Sequence, residues 1–162
     1  MLTFGKSIAA GFPLSGVVGK EEIMDSVHPG GLGGTFGGNP VAAIAGIEVI
    51  DIIKENLDNA EKIGKLLLDR FNEFKDEFEM VGDARGLGAM VAMELVKDKQ
   101  SKKPAPEETK RIIHESLNRG LIIIKSGIYS NVIRVLVPIT VELELVEKGL
   151  EILEGVLKEN IK

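Results

Sequence analysis

The chain has 162 residues, 20 Lys and Arg against 25 Asp and Glu, and a net charge of −5. Mild acidity without a basic stripe argues against nucleic acid as the main partner, and the lack of cysteine excludes disulfides and thiolate metal sites. No apolar run approaches the roughly 20 residues of a bilayer span, and 44% hydrophobic residues are enough for a soluble globular core. His28 and His114 lie far apart in no ligand-spaced cluster, so no metal site is expected.

The first forty residues hold ten of the nineteen glycines and three of the six prolines. Such a segment cannot be one long helix. Leu14–Gly19, LSGVVG, suits a short strand, and His28–Pro40, HPGGLGGTFGGNP, a loop. Asn39-Pro40 then reads as an N-cap followed by proline at the first helical position. The helix that follows, VAAIAGIEVIDIIKEN, is apolar on most faces, which predicts burial. From about Asp58 a second helix repeats Ile63, Leu67, Phe71, Phe74 and Phe78 at spacings of three and four, and Gly82 stops it or begins the turn after it.

Beyond Met80 the pattern changes. AMVAMEL and VIRVLV predict strands, and LIII at 121–124 a short buried one. PAPEETKRIIHESLNRG is a helix with Pro106 and glutamates at its start and Gly120 at its end. The tail repeats Leu143, Val146, Leu150, Leu153 and Leu157 on one face. The expected class is α/β of the α+β kind: one mainly antiparallel sheet covered by helices.

Four stretches carry chemistry. LTFGKSIAAGFPLSGVVG sets one amine, Lys6, among small and apolar residues, and the next acidic residue is Glu21. Apolar surroundings disfavour the charged amine and make it nucleophilic; the plainer reading is a surface lysine. GGLGGTFGGNP, with Thr35 and a helix start, can cradle an anion through exposed N–H groups and a hydroxyl. It fits neither the Walker A nor the Gly-x-Gly-x-x-Gly pattern, and a flexible loop is the plainer reading. Gly86-Leu87-Gly88 precedes a strand, so it reads as a tight turn, with Arg85 serving a carboxylate or the surface. Arg134 is a lone charge in an apolar strand, on the face of Val132 and Leu136. Its guanidinium can grip a substrate carboxylate with two prongs, or take part in a structural salt bridge.

In this order the four stretches resemble the class III (subgroup II) aminotransferases that use pyridoxal 5'-phosphate, most nearly those acting on 4-aminobutyrate. The resemblance spans essentially the whole chain. It implies that Lys6 bonds to C4′ of the cofactor and shuttles a proton. It also implies that Thr35 reaches the cofactor phosphate of a neighbouring subunit, and that Arg134 holds the substrate carboxylate. Residues 1–56 then correspond to the end of the large cofactor-binding domain of a fold-type-I enzyme, and 57–162 to the small C-terminal domain. The glycine turn around the phosphate, the aromatic over the ring and the aspartate at the ring nitrogen cannot be assigned, so the chain is expected to be a C-terminal fragment.

The expected function is the C-terminal portion of a cytoplasmic enzyme moving an amino group from an ω-amino acid to a 2-oxo acid. Its expected partners are those substrates and either a second copy or the missing N-terminal half, with no nucleic acid, membrane or metal. An amino-acid racemase of the same fold and an inactive domain lacking its cofactor half are the alternatives.

Overall fold

The computed structural model describes residues 1–160. Two compact units divide the chain between Glu55 and Asn56. No helix among the described residues is long and apolar enough to cross a membrane.

In the first unit β1 (Leu2–Phe4) pairs antiparallel with β2 (Gly16–Val18), Phe4 opposite Gly16. Only glycine fits there, because a Cβ on Gly16 would lie 2.1 Å from the Phe4 ring. The strands frame one turn of 3-10 helix, Lys6–Ala9. A short helix, α1 (Glu21–Met24), leads into the glycine-rich loop, and α2 (Pro40–Glu55) follows. The expected cap is present: the Asn39 side-chain oxygen accepts the N–H groups of Val41 at 3.0 Å and Ala42 at 3.2 Å.

The predicted burial of α2 is not met. Ala42 and Gly46 are its only buried residues, and Val41, Ile44 and Ile47 are 55%, 64% and 60% exposed. The helix packs through its small-residue side on the 3-10 turn, where a Cβ on Gly46 would lie 2.6 Å from Leu14. The unit has no second layer to cover the remaining apolar faces.

The second unit comprises α3 (Leu57–Glu77), β3 (Val81–Leu87), β4 (Met90–Leu95), α4 (Pro106–Asn118), β5 (Ile124–Ser126), β6 (Val132–Leu136) and α5 (Leu143–Asn160). The sheet order is β3-β4-β6-β5, and every neighbouring pair is antiparallel. Ile63, Leu67, Phe71 and Phe74 of α3 meet Val91, Met93 and Leu95 of β4, Ile133 of β6 and Leu150, Leu153 and Leu157 of α5 in one core. Period-four helical positions and period-two strand positions thus point into one interface.

Three sequence expectations need correction here. Helix α3 ends at Glu77, before Gly82, because Phe78 turns extended to insert its ring beside Phe74. Strand β3 was not foreseen, since Gly82, Asp83, Arg85 and Gly86 have weak strand preference; pairing with β4 overrides it. The buried strand expected at 121–124 is shifted to Ile124–Ser126, and Ile122 is 80% exposed. Gly120, at φ 86°, redirects the chain after α4, so Leu121 and Ile123 pack on the core before pairing begins.

Candidate active site

Lys6 sits where β1 gives way to the 3-10 turn. Its φ is 59°, in the left-handed region, and Ala10 at the end of the turn has φ 49°. Residues with a Cβ adopt this conformation at a cost of about 1–2 kcal/mol, and such outliers cluster at functional sites. The Lys6 side chain is exposed and makes no ion pair with any described residue. Phe4 and Phe12, at 37% and 48% exposure, flank it in sequence without closing over it. The apolar enclosure expected around the amine is therefore not completed by this unit alone.

Thr35 lies exposed in the loop before α2, in a turn where Gly37 N–H donates to Gly34 C=O at 3.0 Å. A Cβ on Gly33, Gly34 or Gly38 would meet nothing within 4 Å. The backbone there is open, and the Thr35 hydroxyl and the start of α2 belong to the same segment. Lys6 and Thr35 share the first unit but no hydrogen bond. An available amine on a strained turn, with an open donor-rich loop in the same unit, fits an aldehyde cofactor that carries a phosphate.

Arg134 belongs to the second unit, on the sheet face opposite the core. The register puts Arg85 of β3, Ala92 of β4, Arg134 of β6 and Ile124 of β5 in one row across the sheet. Cross-strand neighbours share a face, so Arg134 rises between Ala92 and Ile124. The next row toward the β3–β4 turn is Leu87, Met90 and Leu136, exposed by 85%, 48% and 62%. No ion pair engages Arg134 among the described residues, which fits a cation kept for a ligand. Beside it, between the β5–β6 side of the sheet and α5, runs an apolar groove of about 910 Å³, bordered by Ile124, Arg134, Leu136 and Leu145.

Arg85 is committed elsewhere. Its Nη1 donates to Asp83 Oδ2 at 2.7 Å and Glu94 Oε2 at 2.8 Å. These hydrogen bonds, Asp83 first, raise the Arg85 pKa against the opposing effect of burial. Burial pushes the Asp83 carboxyl up, but the hydrogen bond and charge of Arg85, with Lys75, outweigh it and hold Asp83 below the usual carboxylate range. Of the two readings open for Arg85, serving a carboxylate is the one observed, and the carboxylates are those of Asp83 and Glu94 in its own chain.

Sequence reasoning missed Asn131, which is buried and joins β6 to the end of β4. Its Nδ2 donates to Leu95 C=O at 2.8 Å and to Glu94 Oε1 at 3.4 Å, while its own carbonyl accepts Leu95 N–H at 2.8 Å. An asparagine at the end of a turn, three residues before the arginine, is the signal that could have found it.

Residues 1–157 match the family Aminotransferase class-III. The 4-aminobutyrate aminotransferase GabT of Escherichia coli (strain K12) is 44% identical over 155 residues, which are 94% of this chain and 36% of that protein. A leucine/methionine racemase of Thermococcus litoralis is 40% identical over 156 residues, 95% of this chain and 35% of that protein. Among solved structures, an aminotransferase of Bacillus anthracis superposes with a TM-score of 0.87 at 30% identity, over 97% of this chain and 38% of that one. The chain thus spans little more than a third of the length of the proteins it matches. From its first residue to the last turn of α5, it belongs to the class-III aminotransferase family, whose members depend on pyridoxal phosphate.

Proposed function

We propose that this chain supplies the lysine and the carboxylate-binding arginine of an aminotransferase that moves an amino group from an ω-amino acid such as 4-aminobutyrate to a 2-oxo acid. The observation that carries the reading is Lys6, an exposed amine without an ion pair among the described residues, held at φ 59° in a segment that matches the family. When bound, pyridoxal phosphate supplies an aldehyde carbon that captures amines and a ring that accepts the electron pair released at the substrate carbon.

Lys6 is the residue that would hold that aldehyde carbon through its amine. The same amine would serve as base and acid for the proton released at the substrate Cα. Thr35 and the N–H groups of its loop would hold the phosphate, from a second copy of the chain. Arg134 orients the substrate through its carboxylate, with two parallel N–H···O bonds. Homo-oligomerisation belongs to the same proposal, since the exposed Val41, Ile44 and Ile47 of α2 give a second subunit an apolar surface to cover. So does a cytoplasmic location, where amino and 2-oxo acids are exchanged.

The test joins these 162 residues to the remaining part of the E. coli relative and assays 4-aminobutyrate with 2-oxoglutarate. Turnover that needs both substrates and is abolished by Lys6→Ala supports the reading. The identity to a racemase favours a second reading. Inversion of an amino acid without any 2-oxo acid would establish that one and overturn the first.

A further inference from the structure

We infer that Arg85 is a positioning residue that keeps the Glu94 carboxylate away from Arg134, leaving that guanidinium open for a ligand. The inference rests on the reading of Arg134 as a carboxylate-binding cation. Glu94 lies opposite Val132, one row from the Ala92–Arg134 pair on the same face. Diagonal neighbours of this kind are about 7–8 Å apart, within reach of two long side chains. A carboxylate on β4 thus stands where it could neutralise Arg134. The structure directs it elsewhere: Glu94 Oε2 accepts from Arg85 Nη1 at 2.8 Å and Oε1 from Asn131 Nδ2 at 3.4 Å.

The row explains why the arrangement holds. Ala92, between the two arginines, carries only a methyl group, too short to separate them. Glu94 therefore has a cation on either side, and the choice between them decides whether Arg134 is free. Asp83, directly opposite Glu94, accepts from the same Arg85 Nη1 at 2.7 Å, so that Arg85 meets Glu94 in an anchored position. The sheet thus carries a closed triad, Asp83–Arg85–Glu94, beside an arginine left open.

The test uses the 162-residue chain with ¹⁵N-labelled arginine and glutarate as probe, in wild type, Arg85→Gln, Glu94→Gln, Arg85→Gln/Glu94→Gln and Arg134→Gln. Without ligand, the Arg134 Nε–Hε resonance should shift in Arg85→Gln, as Glu94 turns to Arg134, and return in the double variant. Glutarate affinity should fall about three- to fivefold in Arg85→Gln, in line with one exposed ion pair competing for the site. It should return within twofold of wild type in the double variant, and Glu94→Gln alone should change it by less than twofold. A merely structural role for Arg85 would not be rescued by removing Glu94. An Arg134 resonance unmoved by Arg85→Gln, or weaker glutarate binding in Glu94→Gln, overturns the inference. Equal glutarate binding by wild type and Arg134→Gln overturns the carboxylate reading instead. The resonance shift then still decides whether Arg85 holds Glu94 aside.

Discussion

A side-chain carbon on Gly64 of α3 would lie 2.1 Å from the carbonyl oxygen of Gly88 in the β3–β4 turn. The helix lies directly on the turn, and neither backbone can give way without moving an element. Gly64→Ala should therefore destabilise the second unit by about 1–3 kcal/mol, the usual cost of overpacking. Gly149→Ala, in α5, should act the other way. Its new methyl would meet only the flexible end of Leu121 at 3.4 Å, and alanine in a helix interior is favoured over glycine by about 0.5–1 kcal/mol. Urea unfolding of the two variants checks the opposite signs.

Arg134→Lys keeps the positive charge but loses the planar, two-pronged donor. In the joined enzyme it should lower kcat/KM for carboxylate substrates about ten- to a hundredfold, equivalent to roughly 1.5–3 kcal/mol for one charged hydrogen bond. An amine without a carboxylate should be spared in its own half-reaction. Equal losses for both substrate types would make Arg134 a structural residue.

Acid should weaken the second unit through carboxylates that are stabilised when ionised. The Lys158 hydrogen bond and the nearby Arg70 hold Glu154 below the usual carboxylate range against burial. The Lys97 hydrogen bond does the same for Glu108, as Arg85 does for Asp83. A pKa depressed by folding means that the unfolded chain binds protons first as pH falls. Stability from these groups is complete well above pH 4–5, and declines as pH drops through the unfolded and then the folded values. The melting temperature should fall steeply below about pH 4, and less steeply in Glu154→Gln, whose neutral side chain has already lost the pairs with Arg70 and Lys158.

Asn39→Ala should remove the acceptor for the first N–H groups of α2 and cost about 0.5–2 kcal/mol. Amide exchange in the first turn of α2 should quicken before exchange further along the helix. Uniform protection along α2 would show that Pro40 alone fixes the helix start.

The second unit was largely legible because its helices bury one stripe each. Phe71 and Phe74, or Leu150, Leu153 and Leu157, recur at the helical period and enter the core together. Strand β3 was not legible, because its glycines and charges are tolerated only through pairing with β4. Local pattern failed again at α2, whose isoleucines indicate burial that the described residues do not supply. At the site, residue type and order pointed to Lys6 and Arg134. That Arg85 is paired while Arg134 has no ion pair among the described residues depends on strand register, which single-sequence pattern does not encode.

The left-handed backbone at Lys6 sets stability and chemistry against each other at one residue. Lys6→Gly should make the first unit more stable than Lys6→Ala by about 1 kcal/mol, since glycine adopts φ 59° without penalty. Both variants lack the amine. Fold stability alone would thus favour glycine here, and the strain at Lys6 is the cost that the proposed amine chemistry would carry.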